Sequence, residues 1–151
     1  MKTNDASAPS LAEFQAHVRD AFAFTTGFRF SETPLPPGES VNQFQVRMSN
    51  GKVTVVVEGI NWGAGTDVYL EDSAGVSVPL ILFVSPRHRP PRYKGRGSKS
   101  DQLSQVRTAA QYLRDHCTDV LSGDMTRFEE RASEWRRVSG SDRSYQKREL
   151  P

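Results

Sequence analysis

The dipeptide Asn50-Gly51, set between two strand-like runs, constrains this chain more than any other feature. Before it, Phe44-Gln45-Val46-Arg47-Met48 alternates apolar with polar residues, the pattern of a strand with one wet face. After it, Val53-Thr54-Val55-Val56-Val57 is β-branched throughout and suits a central strand. Asn-Gly between such runs predicts a hairpin closed by a type I′ turn, with positive φ at both residues.

The rest of the middle third continues in the same style. Gly59-Ile60-Asn61-Trp62-Gly63-Ala64-Gly65 is a glycine-rich connection, and Asp67-Val68-Tyr69-Leu70-Glu71 alternates again. Asp72-Ser73-Ala74-Gly75 reads as a turn, and Val76 to Val84 as a last strand in which Pro79 points to an edge or a bulge. Parallel pairing needs long crossovers, so these short connections predict an antiparallel meander of about five strands.

Helical periodicity brackets the strands. Ser10-Leu11-Ala12-Glu13 has the form of a capping box, and Leu11, Phe14, Val18, Ala21 and Phe22 recur at helical spacing, which predicts a helix over 11–23. Thr33-Pro34-Leu35-Pro36-Pro37-Gly38 is a loop. Farther on, Leu103, Val106, Ala110, Leu113, Cys117, Val120 and Leu121 form one apolar stripe, read as a single long helix. Ser98-Lys99-Ser100-Asp101 offers a cap for its start. Gly123 is placed to end it and Asp124 to start another, whose Phe128, Ala132 and Trp135 share a face.

The expected fold is therefore α+β: an N-terminal helix, an antiparallel sheet and two C-terminal helices packed on the sheet. The 151 residues fit one domain, over 10–138, with disordered ends at 1–9 and 139–151 and an exposed basic loop at 86–100. Cys117 is the sole cysteine, so no internal disulfide is possible and a reducing compartment is expected. Residues Met1 to Ser7 carry no apolar signal region, and the longest apolar run, Val78 to Val84, is too short for a membrane span. A cytoplasmic protein is expected.

Charge is unevenly placed. Residues 1–85 hold five Lys/Arg against nine Asp/Glu, a net of −4, while residues 86–151 hold fifteen against nine, a net of +6. The split points to a charged partner for the second half, or simply to two solvated faces. The basic stretch Arg87, Arg89, Arg92, Lys94, Arg96 and Lys99, with Tyr93 among them, is the most conspicuous candidate surface. It suits phosphate contacts with base stacking by Tyr93, or docking on an acidic protein surface; the bland alternative is a solvated loop.

Other constellations are weaker. The glycines of 58–65 match neither a P-loop nor a dinucleotide fingerprint, so they read as structural, with Trp62 packed over the turn. Glu58 follows an apolar run and is the carboxylate most expected to be partly buried, a condition common at functional sites. His17, His88 and His116 form no set, and the side chains of His116 and Cys117 diverge on a helix. No cofactor, metal or catalytic motif emerges, and Cys117 reads as an inert core thiol.

Two stretches carry a family resemblance. Phe44-x-Val46-Arg47-x-Ser49-Asn50-Gly51, continued by Val55-Val56-Val57-Glu58-Gly59-Ile60-Asn61-Trp62-Gly63, resembles a set of small uncharacterised bacterial proteins. The run Tyr112-Leu113-Arg114-x-His116-x-x-Asp119-Val120-Leu121-x-Gly123-Asp124 is similar to their C-terminal part, so the likeness spans residues 44–135. These proteins look like immunity proteins encoded beside toxins of interbacterial competition systems. The resemblance implies a non-enzymatic binding protein that neutralises a cognate toxin; it assigns no residue a role, and the basic stretch lies outside it. Expected contact residues are then Arg87, Arg89, Arg92, Tyr93, Lys94, Arg96, Glu58 and Trp62. The alternatives are a nucleic-acid-binding accessory protein using residues 87–99, and an enzyme centred on Glu58.

Overall fold

A computed structural model describes residues 9–38, 42–60, 65–85 and 99–149, with the backbone alone at 99–101 and 139–149. Helix α1 (Leu11–Ala21) opens on the expected capping box: Ser10 Oγ accepts from Glu13 N at 3.1 Å, and Glu13 Oε1 accepts from Ser10 N at 2.9 Å. It stops two residues before the expected end and passes into a 3-10 helix at Ala23–Phe28. Five strands follow: β1 (Ser31–Thr33), β2 (Gln45–Ser49), β3 (Val53–Ile60), β4 (Gly65–Asp72) and β5 (Ser77–Pro79). Every neighbouring pair is antiparallel and the spatial order is the chain order, the expected meander. The chain then runs through α2 (Lys99–His116), the single turn α3 (Thr118–Leu121) and α4 (Thr126–Glu149).

The hairpin forms, with a different turn. Gly51 has φ +93° but Asn50 is not among the positive-φ residues, so the type I′ requirement of positive φ at both is not met. Asn50 is freed for another task. Its Oδ1 accepts from Lys52 N and Val53 N, both at 3.0 Å, and its Nδ2 donates to Leu121 O at 3.2 Å. One side chain thus closes the turn and ties it to α3.

Three further differences have identifiable causes. Only Ser77–Pro79 of the expected last strand pairs; Leu80–Phe83 turns into a 3-10 helix that buries Leu80 and Phe83 at spacing three. The C-terminal stripe does not run along one helix, because it breaks at Cys117 (φ −125°, ψ 20°). There the Arg127 guanidinium takes the His116 carbonyl, which an unbroken helix would offer to Val120 N. Finally, α4 stays helical through Glu149, where a disordered tail was expected; Arg, Lys, Glu and Gln extend a helix once it is nucleated.

The four described α-helices serve one core. Phe14 and Val18 of α1 with Phe22 at its C-cap, Val106, Ala110 and Leu113 of α2, Val120 and Leu121 of α3, and Phe128 and Ala132 of α4 pack into a single cluster. Its sheet side is Val46, Met48, Val53, Val55, Val57, Val68, Leu70 and Val78. Cys117 is fully buried in this cluster, and burial pushes its thiol up to about 12, as expected of an inert core thiol.

Gly59 and Gly65 of the glycine-rich connection serve close approach; Trp62 and Gly63 lie outside the described residues. Gly59 and Gly65 lie within β3 and β4, under the start of α2. A Cβ on Gly59 would stand 2.8 Å from Gln102 Nε2 and 3.3 Å from Phe44 Cβ. The absent side chain lets buried Gln102 reach the Gly65 carbonyl at 3.0 Å, while Thr66 Oγ1 donates to the Gln102 carbonyl at 3.1 Å. Gly59→Ala should therefore cost about 1–3 kcal/mol in denaturant unfolding, by overpacking this contact.

Arg127 joins the C-terminal elements. Its guanidinium donates to both Asp119 carboxylate oxygens, at 2.8 and 3.2 Å, and lies 5.4 Å from the Phe83 ring centroid. Arg19–Glu32 is an exposed pair at 2.7 Å, linking α1 to edge strand β1. Arg127→Ala should cost about 2 kcal/mol, since it strands partly buried acceptors. Arg19→Ala should cost less than about 1 kcal/mol. Paired urea melts check the ranking.

Candidate functional site

Side chains alternate across a strand, so the sheet has a second face, turned away from the core. The register fixes its layout. One row runs Gln45, Glu58, Asp67; the next runs Thr33, Arg47, Val56, Tyr69, Pro79; the third runs Ser31, Ser49, Thr54, Glu71, Ser77. None of these residues belongs to the core cluster.

The polar side chains of this face are organised among themselves. Arg47 donates to Glu71 Oε1 at 2.5 Å and to Gln45 Oε1 at 3.2 Å. Gln45 passes the link on, its Nε2 donating to Glu58 Oε2 at 2.9 Å, and Ser77 Oγ donates to Glu71 Oε2 at 3.2 Å. Five residues from four strands thus share one hydrogen-bonded network over the fully buried Val56. The Arg47–Glu71 pair is largely shielded, with side chains 17% and 19% exposed, which makes it stiffer than a surface pair.

Electrostatically the face is acidic. Glu58, Asp67 and Glu71 stand against Arg47, whose charge is already committed to Glu71. Asp67 lies directly across from Glu58, and burial followed by repulsion from Glu58 pushes its carboxyl above the ordinary aspartate value. The surface of Asp67 is nonetheless open, so the surrounding protein crowds it without covering it. The Tyr69 phenol is also raised, first by burial and then by Glu58 and Glu71. Such a face repels anions and favours cationic groups or hydrogen-bond donors.

Of the sequence-predicted contact residues, Glu58 alone can be placed: it is partly buried, as expected, and sits at one end of the network. Arg87, Arg89, Arg92, Tyr93, Lys94, Arg96 and Trp62 lie outside the described residues. Sequence reasoning missed Gln45, Arg47, Tyr69 and Glu71 as a set. Their alternation with core valines was visible, but the pairing that unites them depends on register. Among the described residues no group of three or more His, Cys, Asp or Glu is arranged to hold a metal, and no helix is long and apolar enough to cross a membrane.

Asp67 supplies a test of this electrostatic picture. The folded state holds its proton more tightly than the unfolded chain, so ionisation weakens the fold. The stability of the neutral form is full below the ordinary aspartate pKa, about 3.9, and is lost as pH rises through the shifted value. Asp67→Asn should stabilise the protein by a few tenths of a kcal/mol at neutral pH, the effect being small because the group is screened. The gain should vanish below about pH 4 when melting is followed against pH. Comparison with protein families, curated proteins and solved structures finds no match to this chain.

Proposed function

We propose that this chain is a cytoplasmic immunity protein that neutralises a cognate bacterial toxin by direct contact, using the acidic face of its sheet. The reading is supported by that face above all: a pre-organised array of carboxylates, amide and phenol on the side of the sheet opposite the core. An inhibitor needs a complementary, rigid surface of roughly 800 Å² and no catalytic machinery. Strands fixed by a shared core supply rigidity, and the network holds Gln45, Arg47 and Glu71 in place before any partner arrives, which lowers the entropy cost of docking. Tyr69 adds the kind of aromatic anchor that concentrates binding energy. The partner chemistry that fits is a cationic protein surface, since Glu58 and Asp67 have no cation paired with them across the register.

Co-expression with the product of the neighbouring toxin gene tests the reading. A co-purifying complex and survival of the host are expected; no complex together with no protection would end the immunity reading. The doubly substituted Glu58→Lys, Asp67→Lys protein locates the contact. Both positions are at least partly open to solvent, so the fold should persist, while affinity should fall at least tenfold. Unchanged affinity would move the docking surface elsewhere.

A further inference from the structure

A second charged feature lies on the opposite side of the hairpin tip and is independent of the acidic face. Here a cleft of about 410 Å³ opens between three segments: the end of the 3-10 helix at Arg29, the turn at Asn50 and Lys52, and the exit from α3 at Ser122 and Gly123. That volume is within the range of small-ligand sites. Among the described residues its walls include two cations, Arg29 and Lys52, and no carboxylate.

Neither cation closes an ion pair with a described residue, so both charges are open to a ligand. Arg29 is also the one non-glycine residue among those described with positive φ, at +69°. Glycine takes that conformation without strain and does so at Gly51, Gly75 and Gly123. Arg29 takes this conformation as the C-cap of the 3-10 helix, its N–H donating to the Thr26 carbonyl at 3.0 Å, and it lines the cleft from there.

The remaining walls are held rigid. Asn50 pins the turn to Leu121 through the 3.2 Å bond already described. Lys52 runs alongside Gly123, its Cδ and Nζ each 3.4 Å from the point a Cβ would occupy. The glycine therefore leaves a lane for the lysine stem. The guanidinium brings a planar fork of donors and the ammonium a point charge, a pairing that suits a tetrahedral oxyanion.

We propose that this cleft binds the phosphate group of a small phosphomonoester, with Arg29 and Lys52 as its cationic contacts. A dianion balances the two charges, and the cleft has room for a small organic substituent.

The test uses the full-length protein and inorganic phosphate, titrated at constant ionic strength while backbone amide resonances are followed. Saturable shifts confined to residues 27–29, 50–53 and 122–123 are expected, with affinity near about 1 mM for the bare ion. Arg29→Gly relieves the strained position, so its melting temperature should equal or exceed that of the parent, while phosphate affinity falls at least tenfold. Lys52→Gln should give a similar loss. The proposal is overturned if acetate or chloride at matched ionic strength produces the same shifts. It is overturned equally if Arg29→Gly binds phosphate unchanged, or if no saturable shift appears up to tens of millimolar.

Discussion

The sheet has one apolar face, and everything else in this structure is arranged around that asymmetry. Val53, Val55 and Val57 point one way along the central strand, and Val46, Met48, Val68, Leu70 and Val78 join them from its neighbours. That surface draws the four described helices to the same side, where the apolar side chains of the sheet are gathered. The opposite face is left for polar side chains, which must then satisfy one another or water. They do so through Arg47, which joins Gln45 and Glu71 where three strands lie side by side.

Covering a twisted sheet with helices from both ends of the chain raises a geometric problem at the C-terminus. A straight helix carrying the stripe from Val106 to Leu121 would diverge from the strands it covers, because the sheet beneath it twists. The break at Cys117 redirects the last turn, so that Val120 and Leu121 reach the core and Leu121 meets Asn50 at the hairpin. Arg127 makes the break tolerable by occupying the carbonyl that the interruption frees and by pairing with Asp119 across the bend. A turn residue and an arginine from the following helix thus fix the hairpin end of the sheet against its covering layer.

Two regions of opposite sign emerge from this arrangement. Carboxylates gather on the sheet face turned away from the core, where register puts Glu58 beside Asp67 despite their repulsion. Cations gather at the cleft, where Arg29 keeps a conformation better suited to glycine. Like charges held close and a strained backbone are both unfavourable to folding, and positions of that kind are where binding functions are most often found. The acidic face is broad and suits a protein surface; the cleft is small and suits a single anionic group.

Much of the architecture was legible in the residues. The Asn50-Gly51 signal and its flanking runs led to the central hairpin, alternation separated core from solvent side chains, and the Ser10–Glu13 box marked the start of α1. Strand β1 was not legible, because Ser31-Glu32-Thr33 is short and polar and becomes a strand only by pairing with β2. Nor was the turn at Leu80–Phe83, whose four apolar residues suit a buried strand equally well. The apolar stripe continues unchanged across Cys117, so spacing could not reveal the break. Only Glu58 of the acidic network stood out, since its other members are joined by register rather than by neighbourhood in sequence.

Local patterning by itself determined the first helix, the central antiparallel strands and the faces those strands bury, because these follow from backbone periodicity and the aversion of apolar groups to water. The tertiary structure alone decided which polar side chains meet, where the C-terminal helix bends and which two cations share a cleft. Those outcomes join residues tens of positions apart, such as Asn50 with Leu121 and Arg47 with Glu71, and such contacts exist only once the chain has closed on itself.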